Sequence, residues 1–430
     1  MSTPPRTNKV RTPPNPCNLQ IEDVVTSGSP HPRGKTTCLA GSSFFPTGRF
    51  PMPYWRLSSF YFFYFAALGA LVPFWGLYLR DRGFTPLAIG ELMAIFMATK
   101  IIAPNLWGWI ADRTGARLFM VRLASLLTLL AFSGIFVVDG FRGIALVMAL
   151  FGFFWNASLP QVEVVTLNYL GLRVRRYATI RLWGSIGFML AVSALGAAVE
   201  RAGTHLVPAW VFVLYAGIWL SSLLIPDSGR PPPEQSSGSL SSLVKRPEII
   251  AFLTACFLMQ VSHGTFYVFY SLYLTEAGYS STAVGALWVW GVVLEVLVFW
   301  RMHRLLERFG ARRVLLVSLG LAVLRWLLTG GFAADPAVQL FAQTLHAATF
   351  GAFHATAIHL VHHYFRGRTQ GRGQALYGSL SFGAGVAIGS LLGGILWSTV
   401  GAGLTFILSA PVAGLGWLAV WGWVDKERRY

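Results

Sequence analysis

The chain has 430 residues, of which 54% are hydrophobic and only 12% charged, with 32 Phe and 16 Trp. A soluble globular domain carries about 25% charged residues, so this composition excludes an ordinary water-soluble fold and points to a chain that lives in lipid. The net charge of +17 raises nucleic acid as a partner, but the basic residues form no single patch, and their distribution between membrane loops accounts for the charge without one.

Residues 1–54 read as a disordered cytoplasmic extension. They are rich in Pro, Ser, Thr and Gly, show no apolar periodicity, and lack the apolar core of a signal peptide. Met52 opens "MPYWRLSSFYFFYF", a natural start for a polytopic chain. A misassigned upstream start and a basic transit peptide are the two readings of this tail. The three cysteines, Cys17, Cys38 and Cys256, have neither metal-ligand spacing nor a disulfide framework.

From Trp55 onward come twelve apolar runs, each long enough to cross a ~30 Å hydrocarbon core as a helix. They are 55–79, 87–111, 117–138, 143–168, 175–199, 207–225, 248–274, 282–302, 313–334, 337–364, 372–396 and 402–424. Of 34 Lys and Arg residues, 26 fall in the tail, the C-terminus and the loops after even-numbered runs. Only Arg80, Arg82, Arg142 and Arg201 lie in the opposite loops. This asymmetry predicts a multi-pass membrane protein with both termini cytoplasmic; the expected location is the bacterial inner membrane.

Sliding the chain on itself reveals a register at an offset of 195 residues. Gly69, Gly83, Gly90 and Gly115-Ala116-Arg117 match Gly264, Gly278, Gly285 and Gly310-Ala311-Arg312, and Leu77-Tyr78-Leu79 matches Leu272-Tyr273-Leu274. The first three runs therefore repeat as the seventh to ninth with the same orientation, which requires an even number of helices per half. An N-terminal six-helix half (55–225), a Pro- and Ser-rich cytoplasmic linker (226–247) and a C-terminal six-helix half (248–430) satisfy that requirement. The expected fold is an all-α integral membrane protein of twelve transmembrane helices in two parallel six-helix repeats, the plan of major facilitator transporters. "GWIADRTGAR" (108–117) resembles that superfamily's G-x-x-x-D-R-x-G-R signature, with Gly108, Asp112, Arg113, Gly115 and Arg117 as its gating residues.

Charges within the runs must find a partner or an aqueous path. Lys100 either snorkels or pairs between helices, or it meets an anionic substrate; its repeat mate is Glu295. Glu163 and Arg181 share a depth, as a structural ion pair or as substrate ligands. Gln260, His263, Glu295, Arg325, His346 and His354 gather near mid-depth in the second half, while His359, His362 and His363 fall toward the interface. A carboxylate whose surroundings change as the protein opens to either side can carry a proton. Glu295 is the candidate for that task, with Arg325 and His346 setting its affinity. Trp75, Trp155 and Tyr270, on the first, fourth and seventh runs, either pack or stack on a ring-bearing substrate.

"TIRLWGSIGF" (179–188), "LMQVSHGTFYVFYSLYLTEAGYSSTAVGALWVWGVVLEV" (258–296), "VLRW" (323–326) and "QTLHAATFGAFH" (343–354) resemble the phenylpropionate permease branch of the major facilitator superfamily. That branch is similar to lactose permease-type proton symporters. The resemblance implies that Glu163 and Arg181 bind substrate and that Glu295, Arg325 and His346 couple protons. Lactose permease types carry a second carboxylate one turn after the histidine, where this chain has Thr349 and Phe350.

The expectation is therefore a secondary transporter, not an enzyme, working by alternating access. It takes up a small organic solute such as 3-phenylpropionate or another aromatic carboxylate with protons, and binds it through Glu163, Arg181, Lys100, His263, Gln260, His354, Trp75, Trp155 and Tyr270. Proton-driven export of hydrophobic compounds, sugar or nucleoside symport, and non-transporting sensing are the alternatives. No cofactor or metal is expected. The partners are the small-molecule substrate, protons and the lipid bilayer, with no nucleic acid, and the protein is expected to be a monomer.

Overall fold

In lipid every backbone N–H and C=O must be satisfied inside the segment, so long apolar runs fold as helices. The computed structural model describes residues 53–227 and 243–424. The Met52 start, most of the expected tail and most of the expected linker lie outside the described residues.

Ten helices among the described residues are long and apolar enough to cross a membrane. The first six are α1 (Tyr54–Asp81), α2 (Pro86–Thr114), α3 (Arg117–Ser133), α4 (Gly140–Leu170), α5 (Tyr177–Ala202) and α6 (Leu206–Leu224). α7 (Pro247–Glu276) follows, then α8 (Ser281–Gly331), which holds both the eighth and the ninth expected runs. Its helical path breaks at Gly310, whose φ of 75° would strain a residue with a Cβ. The tenth run is α9 (Pro336–Thr344), a π-helical turn (Ala347–Ala352) and α10 (Phe353–Tyr364). The eleventh is α11 (Gln370–Gly378), a second π-helical turn (Ser379–Gly385) and α12 (Val386–Val400), followed by α13 (Ala402–Trp423).

Positions 195 residues apart do matching structural work. Gly115 shares the positive φ of Gly310, as Gly83 does that of Gly278. The Thr85 hydroxyl caps α2 by accepting from Ala88 N at 3.3 Å, and the Ser280 hydroxyl caps α8 by accepting from Ala283 N at 3.3 Å. Small residues set the helix approaches, because without a Cβ two backbones can close to contact. A Cβ on Gly90 of α2 would lie 2.7 Å from the Ser390 carbonyl oxygen of α12. One on Gly285 of α8 would lie 3.2 Å from the Val192 carbonyl oxygen of α5.

These two contacts join the segment before residue 227 to the segment after 243, and they lie toward the end of the molecule that holds Asp81, Ala202 and Glu276. That end is further tied by an Arg80–Glu276 ion pair at 3.8 Å and by the Thr282 N–H, which donates to the Glu200 carboxylate at 3.0 Å. A Cβ on Gly76 would sit 2.9 Å from the Val268 carbonyl oxygen. Toward the other end α2 still meets the second π-turn, where Asn105 donates to Ser379 Oγ at 2.9 Å. The inward stripe of α2 passes from buried Met93 and Met97 to partly exposed Lys100 and Pro104. Contacts between the two segments are thus found at both the Asp81 end and the Thr114 end.

Candidate substrate and coupling site

The spacing 343, 346, 350, 354 follows the i, i+3, i+7, i+11 stripe of a helix and turns Gln343, His346, Phe350 and His354 to one face. His346 Nε2 stands 3.6 Å from a Glu295 carboxylate oxygen, which brings two of the three expected coupling residues together. Glu295 is fixed from its other side: a Cβ on Gly351 would lie 3.0 Å from its Cγ, so this stretch of backbone presses on the carboxylate stem.

Arg325, the third coupling residue, does not pair with Glu295. Its guanidinium is 1% exposed and is held by neutral groups. It donates to Thr349 Oγ1 at 3.1 Å and to Gln343 Oε1 at 3.2 Å, and faces His263 Nε2 at 3.4 Å. The guanidinium also lies over the Phe266 ring, 4.3 Å from its centroid, and over Trp326 at 4.6 Å. His263 Nδ1 lies 2.8 Å from the Met259 carbonyl oxygen, so Nδ1 carries the proton. Nε2 then offers its lone pair to Arg325, and this histidine is neutral. Thr349 occupies the turn where the resemblance implies a carboxylate, and here it supplies a hydroxyl. Arg325 Nε has no acceptor among the described residues, so they leave the buried cation incompletely satisfied.

In the first segment no Glu163–Arg181 ion pair, one of the two readings of these residues, is found among the described residues. Glu163 accepts from the Tyr177 hydroxyl at 3.1 Å, and the Arg181 guanidinium packs over Phe65 at 3.6 Å from the ring centroid. Equal depth along two helices does not fix the direction of the side chains, and the Phe65 face draws the guanidinium away. Arg181 remains within electrostatic range of Glu163, Glu295 and His354. Lys100 has neither ion pair nor hydrogen-bond acceptor among the described residues. His354 Nδ1 lies 2.9 Å from the Tyr377 hydroxyl.

The expected ligands thus divide into two groups. Lys100, Glu163, Arg181 and His354 are partly exposed, as is the coupling residue Glu295, whereas Gln260, His263, Trp75, Trp155 and Tyr270 are buried. The three aromatics are packed by rings: Trp75 by Tyr78 and Phe132, Trp155 by Tyr64 and Phe96, and Tyr270 by Phe266 and Trp288. In the signature loop, Arg117 forms an ion pair with Asp112 and donates to Gln161 Oε1 of α4 at 2.7 Å. Arg113 lies over Trp109 at 4.0 Å, and Gly115 ends α2 at a φ of 68°.

Sequence reasoning overlooked Gln343, Tyr177, Phe65 and Gln161. Gln343 was within reach, since it shares the helical stripe of His346. The others depend on contacts between helices that periodicity does not encode. Among the described residues no group of three or more His, Cys, Asp or Glu side chains could hold a metal ion.

Residues 54–408 match the model of the MFS_1 like family. The chain is 30% identical to a "Probable 3-phenylpropionic acid transporter" of Escherichia coli (strain K12), over 81% of this chain and 92% of that protein. It is 27% identical to a "Maltose permease" of Geobacillus stearothermophilus, over 83% of this chain and 91% of the permease. Its fold is similar to the crystal structure of a point mutant of the nucleoside transporter NupG, with a TM-score of 0.74, 17% identity, and coverage of 86% of this chain and 98% of that one.

Proposed function

The chain belongs to the MFS_1 like family and is a multi-pass secondary transporter, not an enzyme, and on that premise we propose that it takes up an aromatic carboxylate together with protons. What carries this reading is a charge imbalance. The inward-turned groups include three cations, Lys100, Arg181 and Arg325, against two carboxylates, Glu163 and Glu295, and Lys100 has no acceptor among the described residues. Uncompensated positive charge in a low-dielectric interior is costly, and an anionic substrate relieves it. The 3-phenylpropionic acid transporter relative supplies the chemical class. The maltose permease relative supports sugar uptake as the competing reading, but a neutral sugar leaves the imbalance in place.

Twelve spans result when α8 is divided at Gly310 and each π-turn is taken as an interruption within one span. The matched caps, turns and glycine contacts at offset 195 support two parallel six-helix repeats. The positive-inside bias supports cytoplasmic termini, in a bacterial inner membrane. In the proposed cycle Glu295 takes a proton beside His346, the substrate carboxylate binds among Lys100 and Arg181, and the halves rock about the α2–α12 and α5–α8 contacts. The protein works as a monomer.

The test is substrate-induced proton uptake in proteoliposomes. Proton entry with 3-phenylpropionate, and none with maltose or a nucleoside, is the expected result. Proton entry with maltose alone would replace the acid by a sugar, and solute flux without proton movement would remove the coupling.

A further inference from the structure

Both π-helical turns occur in the last third of the chain, and they face one another. A π-turn adds a residue to one turn of helix, redirects the side chains there, and is frequent at functional sites. The first carries Phe350 and the second Phe382, whose rings meet edge to face at 6.3 Å and 78°. Phe350 is also stacked between His346, at 5.4 Å and 3°, and His354, at 5.8 Å and 11°. Phe382 in turn stands edge-on to His354 at 5.4 Å and to Tyr377 at 5.9 Å. Phe350, His354 and Phe382 are all partly exposed.

Beside this wall the backbone meets two residues that carry charge. Next to Phe382, a Cβ on Gly383 would lie 3.3 Å from the Lys100 carbonyl carbon, so α2 delivers Lys100 beside the second π-turn. Next to Phe350, Gly351 packs on Glu295. A planar π system placed at this wall gains ring contacts that a saturated ring of similar size cannot reproduce. A carboxylate on the same molecule finds in Lys100 a cation that lacks an acceptor among the described residues.

We propose that Phe350 and Phe382 form the ring-recognition wall of the transport site and that Lys100 receives the substrate carboxylate, so that the selected ligand is an aryl-substituted monocarboxylate. This rests on the transport reading above and adds the residues that separate aromatic from aliphatic acids. It also moves ring recognition away from Trp75, Trp155 and Tyr270, which are buried, to rings that are partly exposed.

The experiment measures binding to the full chain in lipid nanodiscs, using 3-phenylpropionate, 3-cyclohexylpropionate and 3-phenylpropanamide as probes. Phe350→Leu and Phe382→Leu should each weaken 3-phenylpropionate at least about threefold and leave 3-cyclohexylpropionate unchanged. Phe350→Tyr, which keeps a ring, should retain the phenyl preference. Lys100→Gln should weaken the acid about tenfold or more and spare the amide. Thermal unfolding of each variant separates lost folding from lost recognition. If wild type binds 3-phenylpropionate but both Leu variants lose the two acids equally, or neither, the wall is not the selector and only this assignment falls. If folded wild type binds maltose or a nucleoside and no aryl acid, the aromatic-acid reading of the transporter falls as well.

Discussion

The Arg325 guanidinium donates to the Thr349 hydroxyl at 3.1 Å, and Thr349 follows His346 by one turn on the same helix. A neutral hydroxyl therefore meets a buried cation at the turn where the resemblance implies a carboxylate. Replacing Thr349 with Val removes one of the few acceptors that Arg325 has. A hydrogen bond to a charged group contributes about 1.5–3 kcal/mol, so Thr349→Val should lower the thermal unfolding midpoint by several degrees. An unchanged midpoint would mean that water or a shifted Gln343 replaces the hydroxyl without cost.

Glu295 is the only carboxylate placed against His346 among the described ion pairs. Glu295→Gln keeps the shape and removes the exchangeable charge. Uphill accumulation of substrate should be lost, while exchange of labelled for unlabelled substrate across the membrane continues. Full accumulation against a gradient by this variant would take the proton-carrying task away from Glu295.

The Glu200 carboxylate accepts from the Thr282 N–H at the first turn of α8 and so ties the two segments near Ala202. A carboxylate is favoured at a helix N-terminus, where it faces unpaired backbone N–H groups. Glu200→Gln should therefore favour opening there. In protein carrying Cys17→Ser, Cys38→Ser and Val199→Cys, an impermeant maleimide should react faster when Glu200→Gln is added. Val199 and the remaining Cys256 are both buried. Equal labelling rates would show that other contacts hold the two segments together there.

α7 and α12 approach so closely that a Cβ on Gly389 would stand 2.1 Å from the Val261 carbonyl oxygen. Gly389→Ala should destabilise the protein by about 1–3 kcal/mol through forced separation of the two helices. Gly320→Ala, where nothing lies within 4 Å, should be neutral or gain about 0.4–1 kcal/mol. Equal unfolding midpoints for the two variants would contradict this close approach.

Most of the architecture was legible in the sequence, because lipid leaves a backbone few choices. An apolar run of about 20 residues becomes a helix wherever it lies, and the expected boundaries lie within a few residues of α1, α2 and α4–α7. The expected third run extends past α3, which ends at Ser133 with a short 3-10 turn to Phe136. The expected eighth run stops short of its helix, which continues past 302 until Gly310 turns it. Polar groups stranded in apolar runs were equally visible, since each must have a partner or a task. That is how Glu295 and His346 were found, and they are in contact. The two π-turns were not foreseen, because apolar periodicity does not register one extra residue in a turn.

Which polar groups meet was decided only by the tertiary structure. Glu163 and Arg181 share a depth but not a direction: Phe65 takes the guanidinium and Tyr177 takes the carboxylate. Arg325 and Glu295 belong to one expected set, yet Gln343, Thr349 and His263 surround the guanidinium. Apolarity and helical period act along the chain and are written in local order. Side-chain partnership depends on helix tilt, rotation and offset, which arise from glycine contacts between helices distant in sequence, as where Gly90 meets Ser390.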